Sequence, residues 1–417
     1  MNNRKISLIA AVIFAAATTA CSNTPVSETP APAVTSATAA ETSAETSAAE
    51  TTAETAAETS ESVTEAETTA AEAEKQGKPV YSLKPSDEKK LTADDGQTLL
   101  FNAKLQKITI DNESEYPQLA QAVSGYNTIR SDAYEYSCND LSESVNSHYD
   151  SSPESFTGDY SMHYYCNVEN MVSRCDDKVF SFINNEEGFG GGVHGWYVSS
   201  GVNYDSQTGA ELTVSDICTD IPKLVDILAE KLESEYSDAV EPSFTDSENY
   251  RAVLTNTYGE DLQGYDTTWD DGTVFHMQAM NFVFVPDGVM FFSNSYDLTS
   301  YAGGTQQLTV LFSEAEEIFN EKYVSYGEDF DIKDHLYNTM YFDFDGDGKG
   351  ERLTAACVYD DDWNITGYKL TIGDKEYPIE KKSDSNFSDL MSEVIRRDGK
   401  YTYRLCENDN VLYELDI

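Results

Sequence analysis

Basic residues are scarce in this chain: 27 Lys and Arg stand against 75 Asp and Glu over 417 residues. Phosphate recognition needs clustered cations, so the composition argues against a nucleic-acid partner. No C-x-x-C pair occurs, which removes support for zinc ribbons and thioredoxin chemistry. Histidine is limited to His148, His163, His194, His276 and His335, and none has another at i+3 or i+4, so no helical metal pair exists. The apolar run at residues 6–17 falls short of the roughly 20 residues of a membrane helix.

That run follows Arg4 and Lys5 and ends in small residues before Cys21. It resembles a bacterial lipoprotein signal, with Thr18 where leucine is commonest. The expectation is cleavage before Cys21, lipidation of that cysteine, and a lipid anchor on the extracytoplasmic face of a bacterial cell membrane. From Ser22 to about Lys78 the chain is rich in Ala, Glu, Thr and Ser, with no aromatic residue and no cation before Lys75. Its glutamates recur about every four residues, a spacing at which like charges repel. Such a stretch buries too little apolar surface to offset chain entropy and reads as a disordered, low-complexity tether.

The tether holds eleven Glu and two Lys, and the signal holds Arg4 and Lys5; what remains is 64 acidic and 23 basic residues, a net of −41. Cations and basic proteins are the partners such a field attracts. Six cysteines follow Cys21, at positions 138, 166, 175, 218, 357 and 406. In an exported chain they permit three disulfides among fifteen pairings, and Cys357 with Cys406 is favoured because both lie in the last segment.

Along residues 101–129, strand-like alternation at Leu105, Ile108 and Ile110 gives way to a helix opened by Tyr116 and Pro117. Its core stripe is expected at Leu119, Ala122, Val123, Tyr126 and Ile129. Strands are expected in SMHYYCNVENMV and KVFSFINNEEG. In GGGVHGWYVSSGVNYDSQTGAELTVSDI, Trp196, Val198, Val202 and Tyr204 share one face of a strand. DSQTG turns, and Leu212 and Val214 begin a return strand. Asp220 and Pro222 start a helix with Leu224, Val225, Leu228 and Leu232 inward. NFVFV and VMFF flank a Pro286-Asp287-Gly288 turn, QQLTVLF is a further strand, and Ser313 can cap a short helix.

Taken in order, the glycine-rich block, NFVFVPDGVMFF and YDLTSYAGG resemble the extracytoplasmic domain of unknown function 3298. Residues 116–129 resemble the companion segment that precedes it. That domain occurs in RsiV-type anti-sigma factors, which sense lysozyme, and in PdaC-type peptidoglycan deacetylases. The resemblance implies an α+β extracytoplasmic domain used for recognition at the cell wall. Neither a sigma-binding region before the apolar run nor a deacetylase module is apparent in the sequence.

His194 invites a catalytic reading, but a lone histidine needs a nucleophile or an orienting carboxylate. The glycines at 190–192 and 195 more simply permit close backbone approach. His194, Trp196 and Tyr197 are therefore candidates for ligand contact, not catalysis. A carboxylate pair for glycoside hydrolysis is available in principle, yet no spacing singles one out.

MYFDFDGDGKGERLTAACVY carries a sharper signature. Asp343, Asp345 and Asp347 stand at positions 1, 3 and 5 of a calcium loop, with Lys349 offering a carbonyl and Glu351 at position 9. Position 12 is Thr354, and the flanks read as strands, so the resemblance is to the strand-flanked loops of FG-GAP-type repeats. Without a bidentate Glu the expected calcium site is a weak structural one, about 10⁻⁴–10⁻³ M. YKLTIGDKEYPI reads as a hairpin and SDLMSEVIRR as a short helix.

The fold class expected is α+β, with helices packed on antiparallel sheets and a small β-rich C-terminal domain. The organisation expected is a signal peptide over 1–20, a tether over 21–79, and an N-terminal α+β segment over 80–180. The RsiV/PdaC-like domain follows over 181–322, and the C-terminal domain over 323–417. The leading function is non-catalytic recognition of cell-wall glycan (peptidoglycan) or of a cationic wall-active protein such as lysozyme. A cell-wall hydrolase and a structural envelope protein are the alternatives.

Overall fold

The computed structural model describes residues 77–158, 161–268, 274–336, 338–362, 364–381, 390–407 and 410–417. The expected signal peptide, Cys21 and nearly all of the tether lie outside the described residues. The fold is α+β. Among the described residues no helix is long and apolar enough to cross a membrane.

Strands β1 (Tyr81–Thr92), β2 (Leu99–Ile110), β3 (Tyr164–Cys175), β4 (Val179–Phe189) and β5 (Trp196–Asp205) form one sheet in chain order. Only the β2–β3 pair is parallel, and its crossover is the 35-residue helix α1 (Pro117–Ser151). Pro117 sits in the first turn, where a missing N–H leaves nothing unsatisfied. Leu119, Val123, Tyr126, Tyr134, Cys138, Leu141 and Val145 recur on the face that lies on the sheet. At 1.5 Å per residue the helix runs about 52 Å, so it covers two apolar patches. One gathers Phe180, Phe182 and Val202 beneath its first half; the other gathers Phe101, Leu105 and Tyr164 beneath its second. Ile129 departs from the expected stripe and is 43% exposed. Arg130 takes the adjoining sheet-facing place instead and pairs with Glu186 at 2.5 Å.

The sheet crosses the boundary expected at 180/181, because β3 and β4 pair from Tyr165↔Phe189 to Cys175↔Phe180. After β5 the DSQTG turn forms as read, with Asp205 accepting the N–H groups of Gln207 and Thr208 and Gly209 at φ +65°. The return strand expected at Leu212 and Val214 does not form. A single Tyr204↔Glu211 bridge is followed by helix α2 (Val214–Ile217), started by a reciprocal Thr213–Asp216 capping box. Helices α3 (Ile221–Tyr236) and α4 (Tyr250–Tyr258) follow, then a small ribbon of β6 (Tyr265–Thr268) and β7 (Val274–Met277).

A three-stranded antiparallel sheet comes next, β8 (Asn281–Val285), β9 (Gly288–Phe292) and β10 (Gln307–Leu311), with β8 at its edge. Leu224, Leu228, Leu232, Val253, Phe284, Phe291 and Val310 form the main core between this sheet and the helices. The short helix α5 (Phe312–Ala315) begins two residues earlier than Ser313 as a cap would allow. Leu311 holds the cap position, and its N–H donates to Glu314.

Edge strand β8 meets the five-stranded sheet through side chains. The Phe284 N–H donates to Ser181 Oγ at 2.9 Å, and Asn203 Nδ2 donates to the Phe282 carbonyl at 2.8 Å. The Ser181 hydroxyl donates in turn to Asn203 Oδ1 at 2.6 Å. Asn294 extends the contact, accepting the Ser199 N–H at 2.8 Å and donating to its carbonyl at 3.0 Å. Gly201 admits this approach: a Cβ there would lie 2.0 Å from the Phe282 carbonyl oxygen.

The C-terminal part is β-rich. One sheet holds β11 (Phe330–His335), β16 (Leu390–Arg397), β17 (Lys400–Glu407) and β18 (Asn410–Asp416). The other holds β12 (Met340–Phe342), β13 (Glu351–Tyr359), β14 (Ile365–Ile372) and β15 (Lys375–Glu380). Leu353, Leu370, Val394, Tyr403 and Leu405 fill the core they share. The helix expected in SDLMSEVIRR is strand β16 over its described residues. Pairing with β11 on one side and β17 on the other overrides the helical spacing. All six described cysteines are free thiols, and the favoured pair lies on different sheets, Cys357 on β13 and Cys406 on β17.

Two substitutions test the seam at β8. Gly201→Ala forces a steric clash with the Phe282 backbone and is expected to cost about 1–3 kcal/mol. Asn203→Ala strands a buried carbonyl and is expected to cost a similar amount. Urea unfolding measures both, and wild-type midpoints would refute the seam.

Candidate functional site

The glycine-rich loop enters β5 and folds back over β4. The Trp196 ring lies against Gly188, where a Cβ would be 2.1 Å from the indole, and joins the core beneath the second half of α1. Strand alternation sends Tyr197 to the opposite face, where it pairs across from Glu187. Glu187 is exposed and accepts a hydrogen bond from Asn167 Nδ2 at 2.8 Å. Trp196 and Tyr197 are therefore neighbours in sequence on opposite sides of the sheet.

His194 is exposed. Its ring stacks on Tyr301 with centroids 4.2 Å apart and planes at 16°. Nδ1 lies 2.7 Å from the Gly195 carbonyl, which can only accept, so Nδ1 carries the proton. Nε2 is left as an acceptor, with the Tyr296 hydroxyl at 3.5 Å. Among the described residues no carboxylate lies within hydrogen-bond reach of His194, so the orienting partner of a catalytic histidine is not supplied. Tyr296 and Tyr301 adjoin at 5.7 Å, and Tyr165 reaches toward Gly195 nearby. Burial, then the charges of Glu187 and Tyr301, push the Tyr165 hydroxyl above its ordinary value. Val193 is 97% exposed at the tip.

These groups make an aromatic face edged by one carboxylate. Two of its members, Tyr296 and Tyr301, escaped the functional reading of the sequence. The available signal was two tyrosines within SYDLTSYAGG, a polar, glycine-bearing loop.

That loop is held from beneath. Asp297 accepts the Asn294 N–H at 2.8 Å, the Tyr258 hydroxyl at 3.1 Å and Gln278 Nε2 at 2.9 Å. Tyr296, beside it, adopts a left-handed backbone at φ +73°, a conformation costly for a bulky residue. Burial pushes the Asp297 carboxyl up to about 6, outweighing the three hydrogen bonds that favour its charge.

The aspartate loop lies elsewhere, in the β12–β13 hairpin, with Phe342 opposite Glu351. Carboxylate oxygens of Asp343, Asp345, Asp347 and Glu351 all lie within 4.8 Å of one another. Backbone N–H groups hold them inward: Gly348 donates to Asp343 at 3.0 Å, Asp347 to Asp345 at 3.1 Å, and Phe344 to Glu351 at 2.7 Å. Lys349 donates its own N–H to Asp347 at 2.8 Å. Asp343 Oδ1 is buried without a hydrogen-bond partner. Burial, followed by Asp345 and Asp343, raises the Glu351 carboxyl above its ordinary value. An orphaned oxygen among four convergent carboxylates fits a hard cation. Thr354 pairs with Thr371 within β13, so position 12 of the loop contributes to the sheet.

No protein-family model matches the chain, and no curated protein matches it. Several solved structures resemble it, two of which belong to one family. One is a member of the DUF3298 family from Bacteroides fragilis NCTC 9343, at 17% identity over 59% of this chain and 96% of that one, TM-score 0.41. The other is a DUF3298 family protein from Pseudomonas aeruginosa PAO1, at 13% identity over 58% and 95%, TM-score 0.35. Both carry the family name that the sequence motifs resemble.

The Asp297 carboxyl gives a pH test. The folded chain holds its proton more tightly than the unfolded chain, so this contribution to stability is complete below about pH 4. It is lost as pH rises through about 6. Relative to Asp297→Asn, wild type is expected to lose stability between pH 4 and pH 7. Thermal midpoints of the two chains across that range measure it, and a constant difference would count against the assignment.

Proposed function

We propose that the chain is a cell-surface lipoprotein, anchored through Cys21, whose folded part is a non-catalytic extracytoplasmic recognition domain. The observation that carries this reading is the exposed aromatic face of His194, Tyr296 and Tyr301, with half-buried Tyr197 beside Glu187 on the same side of the sheet. Aromatic side chains of this kind anchor protein interfaces because they bury large area at low entropic cost. The net of −41 on the folded part favours a cationic wall-active protein such as lysozyme as the ligand. Stacked rings with an adjacent carboxylate also suit a sugar face and its hydroxyls, which keeps cell-wall glycan as the second reading. Trp196 contributes by holding the loop against β4; its ring packs on Gly188.

Detergent-solubilised full chain, titrated with lysozyme at low and at half-molar salt, tests the first reading. Charge attraction alone is screened over about 8 Å at physiological ionic strength. A specific complex keeps saturable binding at high salt, weakened about tenfold or more by Tyr301→Ala or Tyr197→Ala. Binding that vanishes with salt and ignores both substitutions defeats it. Retention on purified peptidoglycan would favour the glycan, and release of soluble fragments would favour a hydrolase.

The aspartate loop is proposed as a weak calcium staple of the C-terminal part, held by Asp343, Asp345, Asp347 and Glu351 with the Lys349 carbonyl. Millimolar calcium is expected to raise the thermal midpoint of wild type by mass action. Asp345→Ala is expected to remove that increment. An equal response in both chains would place calcium elsewhere.

A further inference from the structure

The parallel pairing of β2 with β3 runs only from Phe101↔Tyr164 to Leu105↔Val168. Beyond it β2 continues with β1 alone, and Asn170 closes the fork. Its N–H donates to Gln106 Oε1 at 2.8 Å, and its Nδ2 donates to the Gln106 carbonyl at 3.0 Å. Among the described residues, residues 171–175 of β3, with a bulge at Ser173, therefore pair with β4 on one side and with no strand on the other, although β11 lies close to β3. The Asn170 N–H points to that open side. By the two-residue period of a strand, the Val172 N–H, just before the bulge at Ser173, points there too. Among the described residues, no strand or side chain takes up the Val172 N–H.

What it faces is a groove of about 500 Å³. Its other walls are residues 78–81, with Lys78 a cation among them, and residues 328–332, the latter running into β11, itself an edge strand. Val80 is 52% exposed and Tyr81 36% exposed, so the groove carries unused apolar surface as well as an unused strand edge. Its charge is uneven. Arg174 is engaged by Asp176 at 2.6 Å, and Arg397 lies 3.7 Å from Asp331. Glu328 and Asp329 are exposed, and their carboxylates take the Ser325 hydroxyl and the Asp398 N–H, while Arg396 holds the Glu328 carbonyl at 2.8 and 2.6 Å. Asp331 is crowded further by Glu393, and burial together with that neighbour raises its carboxyl above its ordinary value.

We infer that this groove is a strand-addition site for an extended peptide whose basic side chains alternate with apolar ones. The peptide backbone pairs with Val172 along the open edge of β3. Its apolar side chains lie on Val80 and Tyr81, and its cations meet Glu328 and Asp329. An extended backbone complements an orphan strand edge in a way that a sugar or a small ion does not, and alternate side chains then give selectivity. The inference stands apart from the aromatic face.

The probe is a blocked heptapeptide of alternating valine and lysine, titrated into detergent-solubilised full chain. Saturable binding is expected, with amide-exchange protection of Val172 rising at least tenfold. N-methylation of the peptide at one set of alternate residues is expected to weaken binding at least tenfold, and at the other set less than threefold. The counterpart with glutamate in place of lysine is expected to bind at least tenfold more weakly. Val172→Pro removes the groove-facing N–H without touching the β4 ladder, and is expected to lower affinity at least tenfold at an unchanged unfolding midpoint. Tyr301→Ala is expected to leave this binding unchanged. Absence of saturation at millimolar peptide overturns the inference. So do equal losses from the two methylation patterns, equal binding of the glutamate peptide, or protection confined to other strands. If Val172→Pro fails to fold, the methylated peptides decide the matter alone.

Discussion

The fold depends on how β8 is received by a sheet to which it does not belong. An edge strand packed against another sheet would leave buried N–H and C=O groups without partners, at about 1–3 kcal/mol each. Ser181 and Asn203 remove that penalty by presenting side-chain acceptor and donor at the spacing of β8's own backbone. Gly201 lets the strand come close enough for them to reach. Everything on the far side of β8, including the core around α3 and α4 and the Asp297-bearing loop, takes its position from this seam. So does the aromatic face, since His194 belongs to the entry of β5 and Tyr301 to the loop after β9.

Much of the architecture was legible because its local signals agree with its packing. The Tyr116-Pro117 helix start, the DSQTG turn and the Pro286-Asp287 hairpin each combine turn chemistry with apolar periodicity. The failures share a cause. SDLMSEVIRR has helix-compatible spacing, but β11 and β17 hold it extended on both sides. Leu212 and Val214 alternate like a strand, but the Thr213–Asp216 capping box nucleates a turn of helix first. Ile129 belongs to the expected stripe by spacing and loses its place to Arg130, whose partner Glu186 lies 56 residues away. Partners remote in sequence decide these cases.

The candidate sites divide along the same line. The aspartate loop is compact in sequence, so its ligand spacing could be read before its geometry was known. The aromatic face joins segments about a hundred residues apart, and only the half near His194 carried a visible motif. Tyr197 and Trp196 looked equivalent in the sequence. Strand alternation separates them, turning half-buried Tyr197 to the Glu187 face and Trp196 to the core beneath α1.

The six free thiols bear on how the chain matures. Burial pushes Cys166 and Cys175 up to about 12, which keeps both as the unreactive thiol at neutral pH. Once the fold is complete these two thiols are poor targets for oxidation. The topology itself favours slow folding. The parallel β2–β3 pair must wait for the long crossover of α1, and the seam at β8 joins residues some eighty positions apart. Loop closure over such separations delays folding more than it weakens the product.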